Sequence, residues 1–386
     1  MPTKMPVSNF EEIRFYHDHE VQPALKQYVK HPMVKALLQF TFPEKPFEEI
    51  EEIALSCNSI RDFQTKIIYS SVQRVLEKSS EGLSYSGFDK LKSDESYMFI
   101  SNHRDIILDT SLLNCVLYEQ GLIMTASAIG DNLVKKPFLL LLSRINRNFL
   151  VQRGLGPREM LKSSQNLSEY IRHLLLEENR SVWMAQREGR TKDGNDTTQQ
   201  GVLKMLAMAK GDMSIAEYFT RIKIVPVAIS YEFDPTDVLK MPEIMAKRME
   251  TTYTKSANED FNSIMQGALG NKGRIHIKAG NVLDSSWFEK IESEQTSTND
   301  LLKAIAAAID DNVHKNYKLW PANYIALDLL NNNDTYSSHY TLKEKRQFER
   351  RLSRRIDVKN ALEVNSYLLM YANPVINLEV LNENKI

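Results

Sequence analysis

Cysteine is nearly absent from this chain. Cys57 and Cys115 are the only two in 386 residues, and both sit in or beside apolar patterns. They have no metal-ligand spacing, so a cysteine metal cluster is excluded and a reducing compartment fits best. Long apolar runs are missing too. The longest candidate, Phe138 to Leu142, is closed off by Ser143 and Arg144, well short of the roughly 20 residues a membrane-spanning helix needs. The first thirty residues carry Glu11, Glu12, Arg14, Asp18 and Glu20 and so hold no apolar core of the signal-peptide type. A surplus of one charge sign is lacking as well. The formal net charge is −1, which gives no reason to expect nucleic acid as a partner. Internal repeats and low-complexity tracts are absent. What remains, 42% hydrophobic and 26% charged residues, is ordinary for a globular chain large enough to bury an ample core. The expected location is cytoplasmic, in solution or peripheral on the inner face of the cytoplasmic membrane.

Three regions follow from the patterning. Residues 1–80 read as an N-terminal helical region, punctuated by prolines at 32, 43 and 46 and striped by Ile67, Ile68, Val72, Val75 and Leu76. Residues 81–290 alternate. Short β-type runs at 97–101, 122–128, 149–153, 181–187, 223–231 and 274–279 are separated by helical stretches at 109–119, 131–145, 158–177 and 197–209. Such alternation predicts an α/β sheet flanked by helices. Residues 291–386 read as a C-terminal helical extension, entered through a Ser- and Thr-rich hinge at 293–299.

Three tempting motifs fail. His103-Arg104-Asp105 opens like a kinase catalytic loop, but Thr110 stands where the metal-binding Asn belongs and no Gly-rich loop precedes it. Gly154-Leu155-Gly156 lacks the third glycine of a dinucleotide fingerprint, Glu159 taking its place. The stretch Gly267 to Lys272 has lysine where a phosphate loop needs glycine.

The informative stretch is Ser101 to Asp109, Ser-Asn-His-Arg-Asp-Ile-Ile-Leu-Asp, directly after the apolar run Tyr97 to Ile100. A histidine that takes a proton from an alcohol needs a carboxylate to fix its tautomer and raise its basicity. Asp105 and Asp109 are the two candidates for that partner of His103, and Asp109 is favoured. Five residues separate His103 from Asp109, so on one continuous helix the two would not share a face. The pair works only with His103 in a loop and the acid near a helix start. Asp109, followed by Thr110 and Ser111, also suits a helix N-cap.

Further blocks follow in order. Asn148 to Arg153 reads Asn-Phe-Leu-Val-Gln-Arg. Glu188-Gly189-Arg190-Thr191 precedes Gly201-Val202-Leu203, and Ile224-Val225-Pro226-Val227 falls on a strand. With Asn102-His103-Arg104 and the acid, these four blocks over about residues 85–285 resemble the glycerolipid acyltransferase superfamily, which includes glycerol-3-phosphate and 1-acylglycerol-3-phosphate acyltransferases. Gly130-Asp131-Asn132-Leu133 resembles the glycerol-3-phosphate branch. The departures are five residues rather than four between His103 and Asp109, no residue between Gly189 and Arg190, and Arg187 in place of a proline.

The resemblance implies an α/β core with a mixed sheet, flanked by the N-terminal helical bundle and the C-terminal extension. It implies transfer of a fatty acyl group from a thioester to a hydroxyl of glycerol 3-phosphate or its 1-acyl derivative, in phospholipid synthesis. His103 would be the base and Asp109 or Asp105 its partner. Arg153 and Arg190 would hold the acceptor phosphate, Glu188 and Gly189 would complete that loop, and Pro226 is a candidate substrate contact that equally suits a strand start. No metal or bound cofactor is implied, since acyl-CoA or acyl carrier protein acts as co-substrate. The rival readings are acylation of an amino-acid lyso-lipid, thioester or lipid hydrolysis, and a non-catalytic lipid-binding protein. Leu139 to Leu142 is read as core rather than acyl tunnel.

Residues 342–356 add a last expectation. Seven basic residues face only Glu344 and Glu349, while Phe348, Leu352 and Ile356 recur every four residues. This predicts a basic amphipathic helix, suited to peripheral contact with an anionic membrane or to docking on the core.

Overall fold

The computed structural model describes residues 10–294 and 297–383. Gln295 and Thr296, within the expected hinge at 293–299, lie outside the described residues. Seven strands form one sheet: β1 (Leu83–Ser86), β2 (Met98–Ser101), β3 (Ala126–Gly130), β4 (Asn148–Val151), β5 (Val182–Ala185), β6 (Ile224–Tyr231) and β7 (Ile275–Ala279). Their order is β1-β7-β6-β2-β5-β3-β4. Every pairing is parallel except β6 with β7, so the sheet is mixed. The α/β architecture matches the sequence expectation.

The central strands are buried on both faces, which is why they read as continuous apolar runs rather than alternating ones. Successive residues still point opposite ways. Met98, Ile100, Val182 and Ile224 pack with helices Pro157–Leu176, Gln200–Ala207, Ile215–Ile222 and Thr298–Asn316. Phe99, Trp183, Val225 and Val227 pack on the other face with helices Tyr69–Ser79 and Leu108–Glu119. Helix Thr298–Asn316 thus gives Leu301, Leu302, Ile305, Ile309 and Val313 to the sheet core.

Two further clusters flank the sheet. The N-terminal helices bury Val21, Leu38, Ile50 and Phe63 together with Phe138, Leu141 and Ile145 of helix Pro137–Ile145. Leu139 and Leu142 pack against the same cluster, so this apolar stretch is core. At the other end, helices Asp237–Arg248, Pro321–Asn331, Leu342–Arg355 and Ala361–Glu383 share a core that includes Ile244, Ile325, Phe348, Ile356 and Tyr367. The apolar stripe of helix Leu342–Arg355 is therefore spent on packing, because Phe348 and Ile356 are buried and Leu352 packs beside them. Among the described residues no helix is long and apolar enough to cross a membrane.

One polar tie joins helix Thr298–Asn316 to the loop after β5. The Asp310 carboxylate accepts from the Thr198 backbone N–H at 2.7 Å and from the Thr198 hydroxyl at 2.6 Å. Burial pushes its pKa up to about 6, against the Thr198 hydrogen bonds and nearby His314, with Asp196 adding to the rise. A carboxyl whose folded pKa is raised favours the fold while protonated. That contribution is complete below the unfolded value near 3.9 and is lost as pH rises through about 6. Asp310→Asn keeps the acceptor oxygen and removes the titration. Its thermal midpoint should exceed that of the parent at pH 8, by on the order of 1–3 kcal/mol of stability, and the gain should vanish by pH 4. Unfolding curves at the two pH values check this, and an equal difference at both would show that Asp310 does not ionise at a cost.

Candidate active site

The chain leaves β2 at its carboxyl end, where open α/β sheets bind ligands. Residues 102–107 form a loop before helix Leu108–Glu119. Asn102 anchors the loop to β6: its amide donates to the Ile229 carbonyl at 2.9 Å and its side-chain oxygen accepts from the Ile229 N–H at 2.8 Å. His103 follows. Its Nδ1 lies 2.7 Å from Oδ2 of Asp109 in the first turn of the helix.

The five-residue interval is absorbed by the loop wrapping around that carboxylate. Asp109 Oδ2 also accepts the backbone N–H groups of Arg104 at 2.6 Å and Asp105 at 3.0 Å, and Oδ1 accepts the Tyr231 hydroxyl at 2.8 Å. Burial works against the charge of Asp109, but the hydrogen bond and charge of His103, with these two amides, hold its pKa below the usual carboxylate range. An ionised acceptor at Nδ1 puts the proton there and leaves Nε2 as the basic nitrogen of the neutral imidazole.

Asp105 does a different job. Its Oδ1 accepts the N–H groups of Ile107 at 3.0 Å and Leu108 at 2.9 Å, so it closes the turn that leads into the helix, two residues before the N-cap position Ile107. Its Oδ2 is buried without a partner, against Gly267, where an added Cβ would sit 2.0 Å away. Burial, and then the charge of Asp109, raise the Asp105 pKa. The geometry makes Asp109 the partner of His103.

The loop after β5 is laid alongside this turn. Gln186 N–H donates to the Ser101 carbonyl and Thr191 N–H to the His103 carbonyl, both at 2.8 Å. Arg104 and Asp196, both buried, close the contact with two parallel hydrogen bonds of 2.8 and 2.6 Å. Between these ties the loop carries Glu188, Gly189 and Arg190. Glu188 forms an ion pair with Arg153, and Arg190 is buried with its Nη1 free of any partner. Gly189 adopts φ 71°, a left-handed turn that favours glycine.

His103, Arg153, Glu188, Gly189 and Arg190 all line one cleft of about 1150 Å³. Ile129, Leu133, Val151, Met160, Leu167 and Met205 give it an apolar lining, and Arg187, Lys192, Lys247 and Arg248 add positive charge. Asp105, Asp109 and Pro226 are outside the lining. Pro226 is set apart from the cleft. It lies buried in the sheet opposite Ile100 of β2, its carbonyl accepting the Gly280 N–H at 2.8 Å, so its place is in the packing at the start of β6.

Residues 82–230, which run from β1 into β6 and carry His103, Asp105, Asp109, Arg153, Glu188, Arg190 and Pro226, match the family model described as Acyltransferase. Over these residues the α/β core matches an acyltransferase domain. Among solved structures the chain is similar to the 1-acyl-sn-glycerophosphate (LPA) acyltransferase PlsC from Thermotoga maritima, at 12% identity and a TM-score of 0.39, covering 77% of this chain and 94% of that one. No curated protein matches the chain.

Several residues of the acyltransferase cleft carried no sequence signal. Asp196 sits in a polar stretch that reads as loop, and its role emerges only when Arg104 is found beside it. Trp183 is one residue of an apolar strand, yet its ring meets the His103 ring edge-on at a centroid distance of 5.3 Å while its N–H donates to Ser101 Oγ at 2.9 Å. Lys192 pairs with Glu243 at 2.9 Å across the cleft, on a helix interrupted by Pro242.

The two acids are distinguishable by function. Asp109→Asn leaves His103 without its ionised partner, whereas Asp105→Asn keeps the Oδ1 acceptor. Acyl-transfer rates should fall at least about tenfold further for Asp109→Asn, about 1.4 kcal/mol in barrier. Thermal midpoints measured alongside would identify any loss due to unfolding. Equal rate losses in two folded variants would refute the assignment.

Proposed function

We propose that the protein transfers a fatty acyl group from an acyl thioester, acyl-CoA or acyl carrier protein, to a hydroxyl of glycerol 3-phosphate or 1-acylglycerol 3-phosphate. The observation that carries this reading is the His103–Asp109 pair, 2.7 Å apart, with His103 on a cleft that Arg153, Arg190 and apolar side chains also line. A hydrolase would need the base but not the arginines.

The acceptor hydroxyl gives its proton to Nε2 of His103 as its oxygen attacks the thioester carbonyl carbon. The new C–O bond forms, and Asp109 stabilises the imidazolium. The C–S bond then breaks, and the departing thiolate takes the proton back from His103. General-base catalysis of this type contributes on the order of 10²–10⁴-fold. Arg190, with an unused guanidinium N–H, and Arg153, oriented by Glu188, are placed to receive the acceptor phosphate, since a guanidinium fork suits its oxygens. The apolar lining, with Ile129, Val151 and Met205, suits the acyl chain.

The donor is a co-substrate, and no resident cofactor enters the mechanism. The proposal places the protein in the cytoplasm. Contact with an anionic membrane would be peripheral and charge-driven, because the apolar stripe of helix Leu342–Arg355 is already packed.

Replacing His103 with Ala should cost roughly 10²-fold or more in acyl transfer, measured with labelled donor. Near-parental turnover would sink the mechanism. Arg153→Ala and Arg190→Ala should raise KM for the phosphorylated acceptor more than for the donor. A change confined to the donor KM would reassign these arginines to the phosphates of the donor. Offering each acceptor in competition for one donor then decides between glycerol 3-phosphate and its 1-acyl derivative. Thioester loss that neither acceptor accelerates would favour hydrolysis.

A further inference from the structure

A second concavity lies away from the catalytic cleft. It is a groove of about 700 Å³ bounded by Arg350, Arg351, Arg354 and Arg355 of helix Leu342–Arg355, with Pro235, Val238, Leu239 and Gln266 opposite. No carboxylate is among its lining residues. The four arginines fall into two pairs. Arg351 and Arg355 are fixed: the buried Asp237 carboxylate accepts from Arg351 Nη2 at 2.9 Å and from Arg355 Nη1 at 2.6 Å, and Arg351 also donates to the Asp234 carbonyl at 2.9 Å. Arg350 and Arg354 are exposed and have no carboxylate partner among the described residues. Arg350 makes one hydrogen bond, Nε to the Arg346 carbonyl at 3.1 Å.

This arrangement has a cost that no carboxylate among the described residues offsets at Arg350 and Arg354. Arg346, Arg350 and Arg354 stand four apart on one helix face, and like charges at that spacing disfavour the helix by about 0.2–0.5 kcal/mol per pair. The helix dipole accounts for cations in the last turn, Arg354 and Arg355, but Arg350 lies further back. Asp237 holds both inner arginines but supplies one negative charge against their two, and the outer pair has no carboxylate at all among the described residues, so the groove keeps a net positive charge. Two free guanidinium groups beside two immobilised ones, over a concave floor, match the charge and the several oxygens of a phosphate dianion.

We propose that this groove is a binding site for a phosphate monoester, separate from the site that holds the acceptor phosphate. It does not rest on the acyl-transfer reading. Helix Asp237–Arg248 links the two concavities, with Val238 and Leu239 on the groove and Ile244 and Lys247 on the catalytic cleft. The phosphate belongs either to a soluble compound or to a lipid headgroup, and the same variants tell these apart.

The test compares the full chain with Arg350→Gln/Arg354→Gln, which spares the Asp237 lock, and with Lys343→Gln/Arg346→Gln, which removes two charges from the same helix outside the groove. Calorimetric titration with inorganic pyrophosphate and sedimentation with phosphatidylcholine vesicles containing phosphatidic acid supply the two readouts. The groove variant should weaken binding of at least one probe about tenfold or more, while the control variant stays within about twofold of the parent. Loss for pyrophosphate points to a soluble phosphate, and loss confined to the vesicles points to a headgroup. Equal weakening in both variants would reduce the helix to a diffuse charged surface and overturn the site. Unchanged binding in the groove variant, or no binding of either probe by the parent, would overturn it as well.

Discussion

The Asp109 carboxylate is completely withdrawn from water, and the arrangement of the site follows from what is needed to keep it charged there. An ion removed from solvent is tolerated only where donors replace its hydration. Asp109 has four: the His103 ring, two consecutive loop amides and the Tyr231 hydroxyl. Each belongs to a different part of the fold's logic. The amides exist because the loop after β2 must turn sharply into its helix. Tyr231 ends β6, 122 positions along the chain from Asp109, and β6 is the neighbour of β2 in the sheet. The imidazole is thus held by a carboxylate that is itself held by the sheet. A water-exposed acid at the same distance would restrain the ring far less.

The second constraint is the loop after β5, which must present Glu188 to Arg190 beside His103 without helical or strand ladder bonds of its own. Among its ties are Gln186 on Ser101, Thr191 on His103, Asp196 on Arg104, Lys192 on Glu243 and Thr198 on Asp310. The buried Arg104–Asp196 pair costs desolvation that a surface pair would escape. It gains in return a fixed distance between the base and the arginines, the quantity that positioning of two reactants requires. Arg104, adjacent to His103, is better understood as this clamp than as a substrate ligand.

The sequence made the candidate residues legible because residue chemistry and order along the chain are local. His103, the acids, Arg153 and the Glu188 loop stand in short blocks, and the strands around them are apolar enough to be read directly. The choice between Asp105 and Asp109 was legible only as a preference for Asp109, since it depends on how six loop residues turn, and on a continuous helix the spacing would argue against that pair. Pro226 misled for the opposite reason: its block is real, but its side chain is a packing element of β6. The short edge strand β1 and the helix Asp237–Arg248, with Pro242 inside it, carry too little periodicity to stand out.

Helix Leu342–Arg355 shows the limit most clearly. Its charge and its three-residue stripe are plain in the sequence, and a membrane surface is the natural partner for such a helix in isolation. In the fold, Asp237, 114 positions away from Arg351, captures two of its arginines together with the hydroxyls of Tyr367 and Tyr371. The stripe meanwhile closes the C-terminal core. A helix's charges are encoded locally, whereas its counter-ions are supplied by tertiary structure. Only after the internal partners are subtracted does the remaining charge say anything about a ligand. Here the subtraction removes the apolar anchor and half of the groove's arginines. What is left is a small concave cationic site rather than a membrane-inserting face.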